Sequence, residues 1–270
     1  MTKVLKRIYI ALIMLFLYGP MLVMIVLSFN ASASTSVMTG FSFQWYAELL
    51  HDTITLQALS NTLILAITSS VIAVIIGTMA AVGVNAMRKK WLKHTILTVT
   101  NIPMMNPDIV TGVSMMLLFV FVGKFVSTQD VLGFPTLLIA HITFNLPYVL
   151  LSVLPKLQQT DKFLGEAAED LGCTPFKAFF KVILPNIMSG IVSGLILSFT
   201  LSLDDFIISY FVSGPTFQTL PIVIFSMTKK RVKPDMYALS TLIFLSILIL
   251  LILMNLLSMR SEEKTKQKRK

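Results

Sequence analysis

The sequence predicts an all-α, polytopic membrane protein, and its composition, its apolar segments and its charge placement each support this class. Of the 270 residues, 55% are hydrophobic and 13% are charged, and the mean hydropathy is +0.82. A soluble domain carries about 25% charged residues, so this chain has roughly half the charge that a water-facing surface requires. A soluble enzyme and a nucleic-acid-binding protein are therefore disfavoured, despite a net charge of +9.

Six apolar stretches are long enough to cross a bilayer as helices, which takes about 20 residues at 1.5 Å each. They are Ile8–Phe29, Asn61–Met87, Thr95–Gly123, Leu132–Val153, Pro185–Ser209 and Tyr237–Leu257. The first has no small-residue cleavage site after it, so we interpret it as a retained span rather than a signal peptide. Pro103, Pro107 and Pro147 fall inside predicted spans and are expected to kink them.

The basic residues set the expected orientation, because lysine and arginine accumulate on the cytoplasmic side. With the N-terminus inside, 17 of the 22 basic residues fall in cytoplasmic segments. The remaining five are Lys124, Lys229, Lys230, Arg231 and Lys233. This distribution predicts an N-in, C-in topology. The outer cluster at Lys229–Lys233 argues against a long soluble loop at that point.

Two absences in the sequence limit its chemistry. A single cysteine, Cys173, excludes a disulfide framework and a multi-cysteine metal site. No G-x4-G-K-[ST] phosphate-binding loop is present, since Gly123-Lys124 is followed by Phe125 and Leu118 stands where the first glycine should be. The chain cannot itself be an ATPase, so any coupling to ATP must come from a partner.

The third cytoplasmic segment has the pattern of two short helices. Residues Phe163–Gly172 read FLGEAAEDLG, with apolar side chains on one helical face and Gly172 suited to a C-terminal cap. Thr174 then provides an N-cap before Pro175 in the first turn of a second helix. That helix carries an apolar ridge formed by Phe176, Phe179, Phe180, Ile183 and Leu184. Periodicity alone leaves open whether this ridge packs on the protein's own spans or docks onto a partner.

The spacing inside this segment carries a resemblance. Glu166-Ala167-Ala168 is followed after three residues by Gly172, and after nine more by Val182-Ile183-Leu184-Pro185. This resembles the EAA loop of ABC-importer permeases, EAA-x3-G-x9-I-x-L-P, with Val182 in place of isoleucine. The resemblance implies the type I (MetI-like) importer permease fold and a coupling role toward an ATPase. It assigns that role to Glu166, Ala167, Ala168, Gly172, Phe176, Phe179, Leu184 and Pro185.

Further stretches over nearly the whole chain resemble the polyamine branch of that family, the spermidine and putrescine permeases. They are Phe43-Gln44-Trp45-Tyr46, Pro107-Asp108-Ile109-Val110, His141-Ile142-Thr143-Phe144, Leu197–Asp205 and Ser213-Gly214-Pro215. The resemblance implies a bacterial cell-membrane location and a single permease domain over 1–270. Its core is expected at 57–258, its coupling loop at 156–185 and its basic tail at 259–270.

The same resemblance implies a set of partners. They are a second permease subunit, two ABC ATPase subunits, an extracytoplasmic polyamine-binding protein and the membrane lipid, with no nucleic acid. The chain itself is expected to be non-catalytic and to hold no cofactor, because ATP–Mg would be bound by the partner ATPase.

Acidic side chains inside the predicted spans are the candidate substrate path. Each carboxylate near the bilayer centre costs about 2.5–3.5 kcal/mol on insertion scales, and the spans contain no lysine or arginine that offsets Asp108, Asp204 and Asp205. The acids therefore either line a water-filled path that favours cations, cap broken helices or pair with another subunit. Polyamines carry several ammonium groups, and spaced carboxylates match that charge pattern. The predicted path residues are Trp45, Asp108, Ser202, Asp204 and Asp205, with Ser202 included through the resemblance.

Other polar and aromatic residues near these acids have simpler interpretations. Trp45 is expected outside, as an interfacial anchor or as a cation–π contact worth about 0.5–2 kcal/mol. Four embedded polar residues are expected to bond between helices rather than to bind substrate. They are Asn101, Asn106, His141 and Asn145.

With the resemblance included, the sequence predicts the permease subunit of an ATP-driven polyamine importer that works by alternating access. Two alternatives stay open. One is a permease of the same family for another cation, such as iron. The other is a secondary cation transporter or channel that works alone, with the acids as an ion relay. A preference for spermidine or putrescine is not predicted.

Overall fold

The protein is described by a computed structural model over residues 3–32, 37–126, 131–161, 163–229, 235–249 and 252. Within these residues the chain forms helices and no β-sheet, apart from an isolated antiparallel bridge between Asn30 and Phe41. The all-α prediction is therefore confirmed. The basic tail at 259–270 and most of the Lys229–Lys233 cluster lie outside the described residues.

The helices are named in chain order. They are α1 (Lys3–Ser28), α2 (Gln44–His51), α3 (Thr53–Ala86), α4 (Lys90–Met105), α5 (Asp108–Val126), α6 (Phe134–Gln159), α7 (Leu164–Asp170), α8 (Pro175–Ala178), α9 (Leu184–Asp204), α10 (Ile207–Val212), α11 (Leu220–Thr228) and α12 (Asp235–Ile249). A π-helical turn at Phe179–Ile183 joins α8 to α9, so that Pro175–Asp204 is one continuous helical run.

Among the described residues, five helical runs are long and apolar enough to cross a membrane: Val4–Ser28, Thr53–Ala86, Asp108–Phe125, Phe134–Gln159 and Pro175–Asp204. The apolar helix Asp235–Ile249 begins the sixth predicted span, and most of the rest of that span lies outside the described residues. The count of six spans and the N-in, C-in topology stay predictions.

The third predicted span, Thr95–Gly123, is wrong as a single helix. The chain leaves α4 at Asn106, which is extended at φ −81°, ψ 139°, and re-enters a helix at Asp108. Pro107 causes this division, because it has no backbone N–H to donate and its ring pushes the preceding residue out of the helical region.

The fifth predicted span, Pro185–Ser209, also differs from the structure. Its helical run starts earlier, at Pro175, and ends at Asp204. Asp205 is extended at φ −63°, ψ 119°, and the helix resumes as α10. This break contains neither proline nor glycine, so its cause lies in the side chains described below.

The chain divides into two compact units, Met1–Gln57 with Val223–Leu253, and Ala58–Ile222 with Met254–Lys270. In the second unit, α6 and α9 cross closely. A Cβ atom added at Gly190 would lie 2.8 Å from the Ser152 carbonyl oxygen, and one at Gly194 would lie 3.3 Å from the Val149 Cα. Glycines at such a crossing let two backbones approach, which favours helix association in a membrane. This crossing is the scaffold on which α9 carries Asp204 at its end.

Candidate functional site

Two helices of the Ala58–Ile222 unit are interrupted at the acidic residues that the sequence singled out. α4 ends at Met105 and α5 begins at Asp108, while α9 ends at Asp204 and α10 begins at Ile207. An interrupted helix leaves backbone N–H and C=O groups without partners, and inside a membrane this is tolerated only where the break is buried in protein or lines a watery cavity. The two breaks are therefore the candidate site.

Asp205 supplies the missing partners at the second break. Its carboxylate accepts hydrogen bonds from the backbone N–H groups of Ile208 at 3.3 Å and Ser209 at 2.8 Å, and from the Ser209 hydroxyl at 2.8 Å. Both N–H groups belong to the first turn of α10, where no preceding helical carbonyl is available. The Asp205 side chain is 8% exposed. Asp205 thus has the geometry of a helix cap, and its part in transport stays a prediction.

His141, from α6, lies beside this cap. Its Nε2 is 3.2 Å from the Ser209 Oγ and 3.5 Å from the Asp205 Oδ2, and its Nδ1 is 3.1 Å from the Ser202 Oγ. Because the carboxylate only accepts and the Ser209 hydroxyl already donates to it, we assign a proton to Nε2. The imidazole is 1% exposed and joins the end of α9 to the start of α10.

Ser202 lies at the other end of the imidazole. Its Oγ accepts a hydrogen bond from the Asn145 Nδ2 at 2.8 Å and is 3.0 Å from the Ser69 Oγ of α3. Ser69, Asn145 and Ser202 are each at most 2% exposed. The Asn145 Oδ1 has no hydrogen-bond partner among the described residues. We call this set of side chains the break network; it consists of Ser69, His141, Asn145, Ser202, Asp205 and Ser209.

The direction of α5 relative to α10 follows from three glycine contacts. Cβ atoms added at Gly112 would lie 3.1 Å from the Phe211 Cδ2 and 3.4 Å from the Ile208 Cα. Further along α5, a Cβ added at Gly123 would meet Val131, and one added at Gly214, just beyond the end of α10, would meet the adjacent Leu132. The two helices therefore run side by side in the same direction.

An acid precedes this contact between α5 and α10 by four residues on each side. Asp108 lies one turn before Gly112 on the same face of α5, about 6 Å toward its amino end. Asp204 precedes Ile208 by the same four residues. Both acids are exposed, and among the described residues neither forms a salt bridge. They are the two acids of the candidate site that are free to meet a ligand.

The negative charge at the two breaks comes from their carboxylates. The partially negative C-terminal ends of α4 and α9 lie next to the partially positive N-terminal ends of α5 and α10, so the helix dipoles oppose each other there, whereas Asp108 and Asp204 each add a carboxylate. Aromatic rings accompany the second break, with Phe206 and Tyr210 centroids 5.4 Å apart and Tyr210 49% exposed. Within the described part of the chain, no group of three or more His, Cys, Asp or Glu side chains could hold a metal ion.

Trp45 belongs to the other compact unit, where it is hydrogen-bonded to the backbone just beyond the end of α1. Its indole N–H donates to the Asn30 carbonyl oxygen at 2.7 Å, and the neighbouring Tyr46 hydroxyl is 2.6 Å from the Ser28 Oγ. Asn30 in turn accepts from the Thr39 N–H and donates to the Val37 carbonyl oxygen. Trp45 is therefore held with its N–H occupied and its ring partly exposed. Its place in the substrate path stays a prediction.

The predicted coupling segment has the two short helices expected from its pattern. Gly172 follows α7 with a φ of +85°, a conformation that glycine adopts without strain. Thr174 caps α8, since its hydroxyl accepts from the Lys177 N–H at 3.4 Å, and Pro175 is in the first turn. Glu166 and Ala167 are exposed, whereas Ala168 is buried.

The second of these helices was expected to be regular through Leu184, and that expectation is wrong. The Leu184 N–H bonds to the Phe179 carbonyl oxygen, five residues back. The π turn precedes Pro185, whose ring would clash with the carbonyl four residues earlier. Phe176 and Phe180 remain exposed at 74% and 48%, with ring centroids 4.7 Å apart. Phe179 and Leu184 are partly buried, so the ridge is split between the surface and the protein interior.

The expectation that embedded polar residues bond between helices is confirmed for His141 and Asn145. Sequence reasoning missed Ser69 and Ser209. Ser209 gives only a weak local signal, because it lies four residues after Asp205, one residue beyond the spacing at which an N-cap side chain accepts from the first turn. Ser69 gives no such signal, since its partner Ser202 is 133 residues away along the chain.

Comparison with known proteins identifies the family. Residues 73–264 match the family described as "Binding-protein-dependent transport system inner membrane component". The chain is 40% identical over 228 residues to the putrescine transport system permease protein PotI of Escherichia coli strain K12, covering 84% of this chain and 81% of that protein. It is 37% identical over 264 residues to the spermidine/putrescine transport system permease protein PotC of the same strain, covering 98% and 96%. The chain therefore belongs to the family of binding-protein-dependent transport system inner membrane components.

A solved structure shows the same fold. A chain of a bacterial alginate ABC transporter, in complex with alginate pentasaccharide-bound periplasmic protein, matches with a TM-score of 0.74 over 95% of this chain and 94% of that chain, at 16% identity. The fold is that of an ABC importer permease, as the sequence predicted. The protein is accordingly a non-catalytic, membrane-embedded subunit of an importer in the bacterial cell membrane.

Proposed function

We propose that this chain is the permease subunit of an ATP-driven importer of polyamines, either spermidine or putrescine. The observation that carries this substrate class is the 37% identity to a spermidine/putrescine permease over 98% of the chain. The 40% identity to a putrescine permease supports the same class.

The two helix breaks support a cationic substrate. Asp108 and Asp204 are exposed beside the two helix breaks. A unit charge 4 Å from a carboxylate gains about 1 kcal/mol in water and about 4 kcal/mol at partly screened dielectric. Two carboxylates on separate helices can attract two ammonium groups of one flexible chain. We infer that Asp108 and Asp204 line the translocation path.

The proposed partners follow the organisation of the family. They are a PotB-like second permease, two PotA-like ATPase subunits that bind ATP–Mg, and a PotD-like extracytoplasmic binding protein. The binding protein delivers the polyamine to the outward-open permease pair. ATP then closes the ATPase dimer, and the permeases switch to face the cytoplasm by alternating access.

We assign the coupling step to the segment at 156–185. Its exposed residues Glu166, Phe176 and Phe180 offer a docking surface of two short helices separated by the bend at Gly172. An amphipathic helix in a groove is a common mode of recognition between proteins. The π turn at Phe179–Ile183 joins this surface to α9, so movement of the docked helices reaches Asp204 through one continuous helical run.

The test is uptake of radiolabelled putrescine and spermidine into proteoliposomes that hold the complete complex. We expect saturable uptake that requires both ATP and the binding protein and that ferric iron does not inhibit. Uptake that persists without the ATPase subunits would instead support a secondary transporter working alone. Competition by iron at similar concentrations would support a permease for a different cation.

A further inference from the structure

We propose that the buried break network is a positioning device for transport, in which His141, Ser202, Asn145 and Asp205 hold the interruption between α9 and α10 and thereby aim Asp204 into the path. This inference rests on the proposed function, because it assumes that Asp204 meets the substrate. It assigns His141 and Asn145 a role in transport. It also replaces the direct contact with substrate that was predicted for Asp205 and Ser202 with an indirect role through Asp204.

Burial separates the network from the substrate. Asp205 is 8% exposed, His141 is 1% exposed and Ser202 is 2% exposed, whereas the adjacent Asp204 is exposed. A side chain with so little exposed surface can affect a ligand only through its neighbours. Two consecutive carboxylates therefore have different surroundings, one facing outward and one enclosed within the unit.

The break network joins α3, α6, α9 and α10 at the interruption between α9 and α10. Ser202 is in the last turn of α9, and its hydroxyl contacts Ser69 of α3 and both His141 and Asn145 of α6. On the far side of the break, His141 contacts Ser209 of α10. The imidazole therefore spans the interruption, with one nitrogen bound to the helix before it and the other bound to the helix after it.

This linkage restrains the direction of Asp204 through the backbone on either side of it. Asp204 is the last residue of α9, and Asp205 follows it in extended conformation. The backbone torsions of Asp205 are held from one side by its bonds to the first turn of α10 and from the other by the anchoring of Ser202. Loss of the imidazole removes the tie between the two helix ends and frees Asp204 to change direction.

The experiment is a double-mutant cycle on the complete transport complex in proteoliposomes, with uptake of labelled putrescine measured over a range of concentrations. The variants are His141→Gln, Asp204→Asn and the combination of the two. Residues that act as a unit give non-additive effects, whereas independent sites add. We expect His141→Gln alone to raise the KM about two- to 160-fold, the range spanned by coupling energies between residues of one hydrogen-bond network. The double variant should be no worse than Asp204→Asn, because a neutral side chain has no charge to aim.

A second pair of variants covers the case in which His141→Gln does not assemble. Ser202→Ala removes the hydroxyl that contacts three other side chains. Ser198→Ala is its matched control, since Ser198 is equally buried on α9 but donates to the Gly194 and Leu195 carbonyl oxygens of its own helix. We expect Ser202→Ala to raise the KM at unchanged complex yield and Ser198→Ala to leave it at the wild-type value.

The outcomes separate this inference from the proposed function. If the His141→Gln and Asp204→Asn effects multiply in the double variant, or if Ser202→Ala transports like Ser198→Ala, the positioning role is wrong while the acidic path remains. If Asp204→Asn alone transports like the wild type, the path role of Asp204 fails, and the positioning role fails with it.

Discussion

The two helix breaks of the Ala58–Ile222 unit are produced by different means. Between α4 and α5, Pro107 removes a backbone donor and Asn106 is forced into an extended conformation. Between α9 and α10, the Asp205 carboxylate caps the second helix, and the break network holds both ends. The first break is thus a local property of the chain, whereas the second depends on residues from α3 and α6.

This difference separates the three acids by their surroundings. Asp108 and Asp204 are exposed beside the breaks, where the proposed function has them attract the substrate. Asp205 is enclosed, where a charge satisfies N–H groups of α10 and pairs with His141. We therefore expect neutralisation to affect transport at the first two positions and truncation to affect stability at the third.

The largest expected effect is on uptake by Asp108→Asn and Asp204→Asn. Each change removes an attraction of about 1–4 kcal/mol for an ammonium group near 4 Å, which corresponds to a fivefold to several-hundredfold loss of occupancy. Polyamine uptake at low concentration, normalised to membrane level, measures this loss. Glu262→Gln, which neutralises an acid in the tail, is the control and should leave uptake unchanged. Wild-type uptake by both Asn variants would remove the acidic path.

The next largest effect is on stability, from Asp205→Ala. This variant leaves the N–H groups of Ile208 and Ser209 without their acceptor, at a cost of about 1–3 kcal/mol for each unsatisfied group. Asp205→Asn keeps an amide oxygen that can still accept, so the loss should be smaller. Thermal unfolding of the purified complex in detergent distinguishes the two. Equal melting temperatures for the Ala and Asn variants would show that the carboxylate does not act as a cap.

The contrast between the two breaks also shows how much of the fold could be predicted from the sequence. Pro107 and its position in an apolar run are visible in the sequence, so a disturbance at that point was expected, although a full division of the helix was not. The second break falls in a run that remains apolar beyond it, from Phe206 to Val212, and neither proline nor glycine interrupts the helical pattern. Asp205 caps α10 locally, but the contacts of Ser202 with Ser69 and His141, which lie far away along the chain, are not visible in the sequence. Hydropathy therefore predicted one continuous span there.

The coupling segment was predicted more completely, because its determinants are local. Gly172 at positive φ and Thr174 as a cap follow from residue type and spacing alone. The π turn was missed, since helical periodicity assumes the same rise for every residue up to Pro185. The assignment of partners to this segment came from resemblance and stays a proposal.

A smaller effect, on stability and on the KM, is expected at the contact between α5 and α10. Gly112→Val adds a branched side chain where a Cβ would already lie 3.1 Å from the Phe211 Cδ2, and such overpacking costs about 1–3 kcal/mol. Gly83→Val, at a glycine of α3 with nothing within 4 Å of an added Cβ, controls for helix propensity. We expect Gly112→Val to melt at a lower temperature than Gly83→Val and to raise the KM for polyamine, because α5 carries Asp108 away from α10. Equal KM values for the two variants would mean that the spacing of the breaks does not matter to binding.

The smallest effect on polyamine uptake is expected from changes at Trp45, which lies in the other compact unit and carries no charge. Both Trp45→Phe and Trp45→Leu remove the N–H bond to the Asn30 carbonyl oxygen, worth about 0.5–1.5 kcal/mol, so this loss is common to both variants. Only Trp45→Leu also removes the π face, whose attraction for an ammonium group is about 0.5–2 kcal/mol. If Trp45 meets the substrate, uptake by the Leu variant should fall about two- to thirtyfold below that of the Phe variant at equal membrane level. If the two variants transport alike, Trp45 is an anchor of the outer loop, and the attraction for the polyamine comes from the charges at the breaks alone.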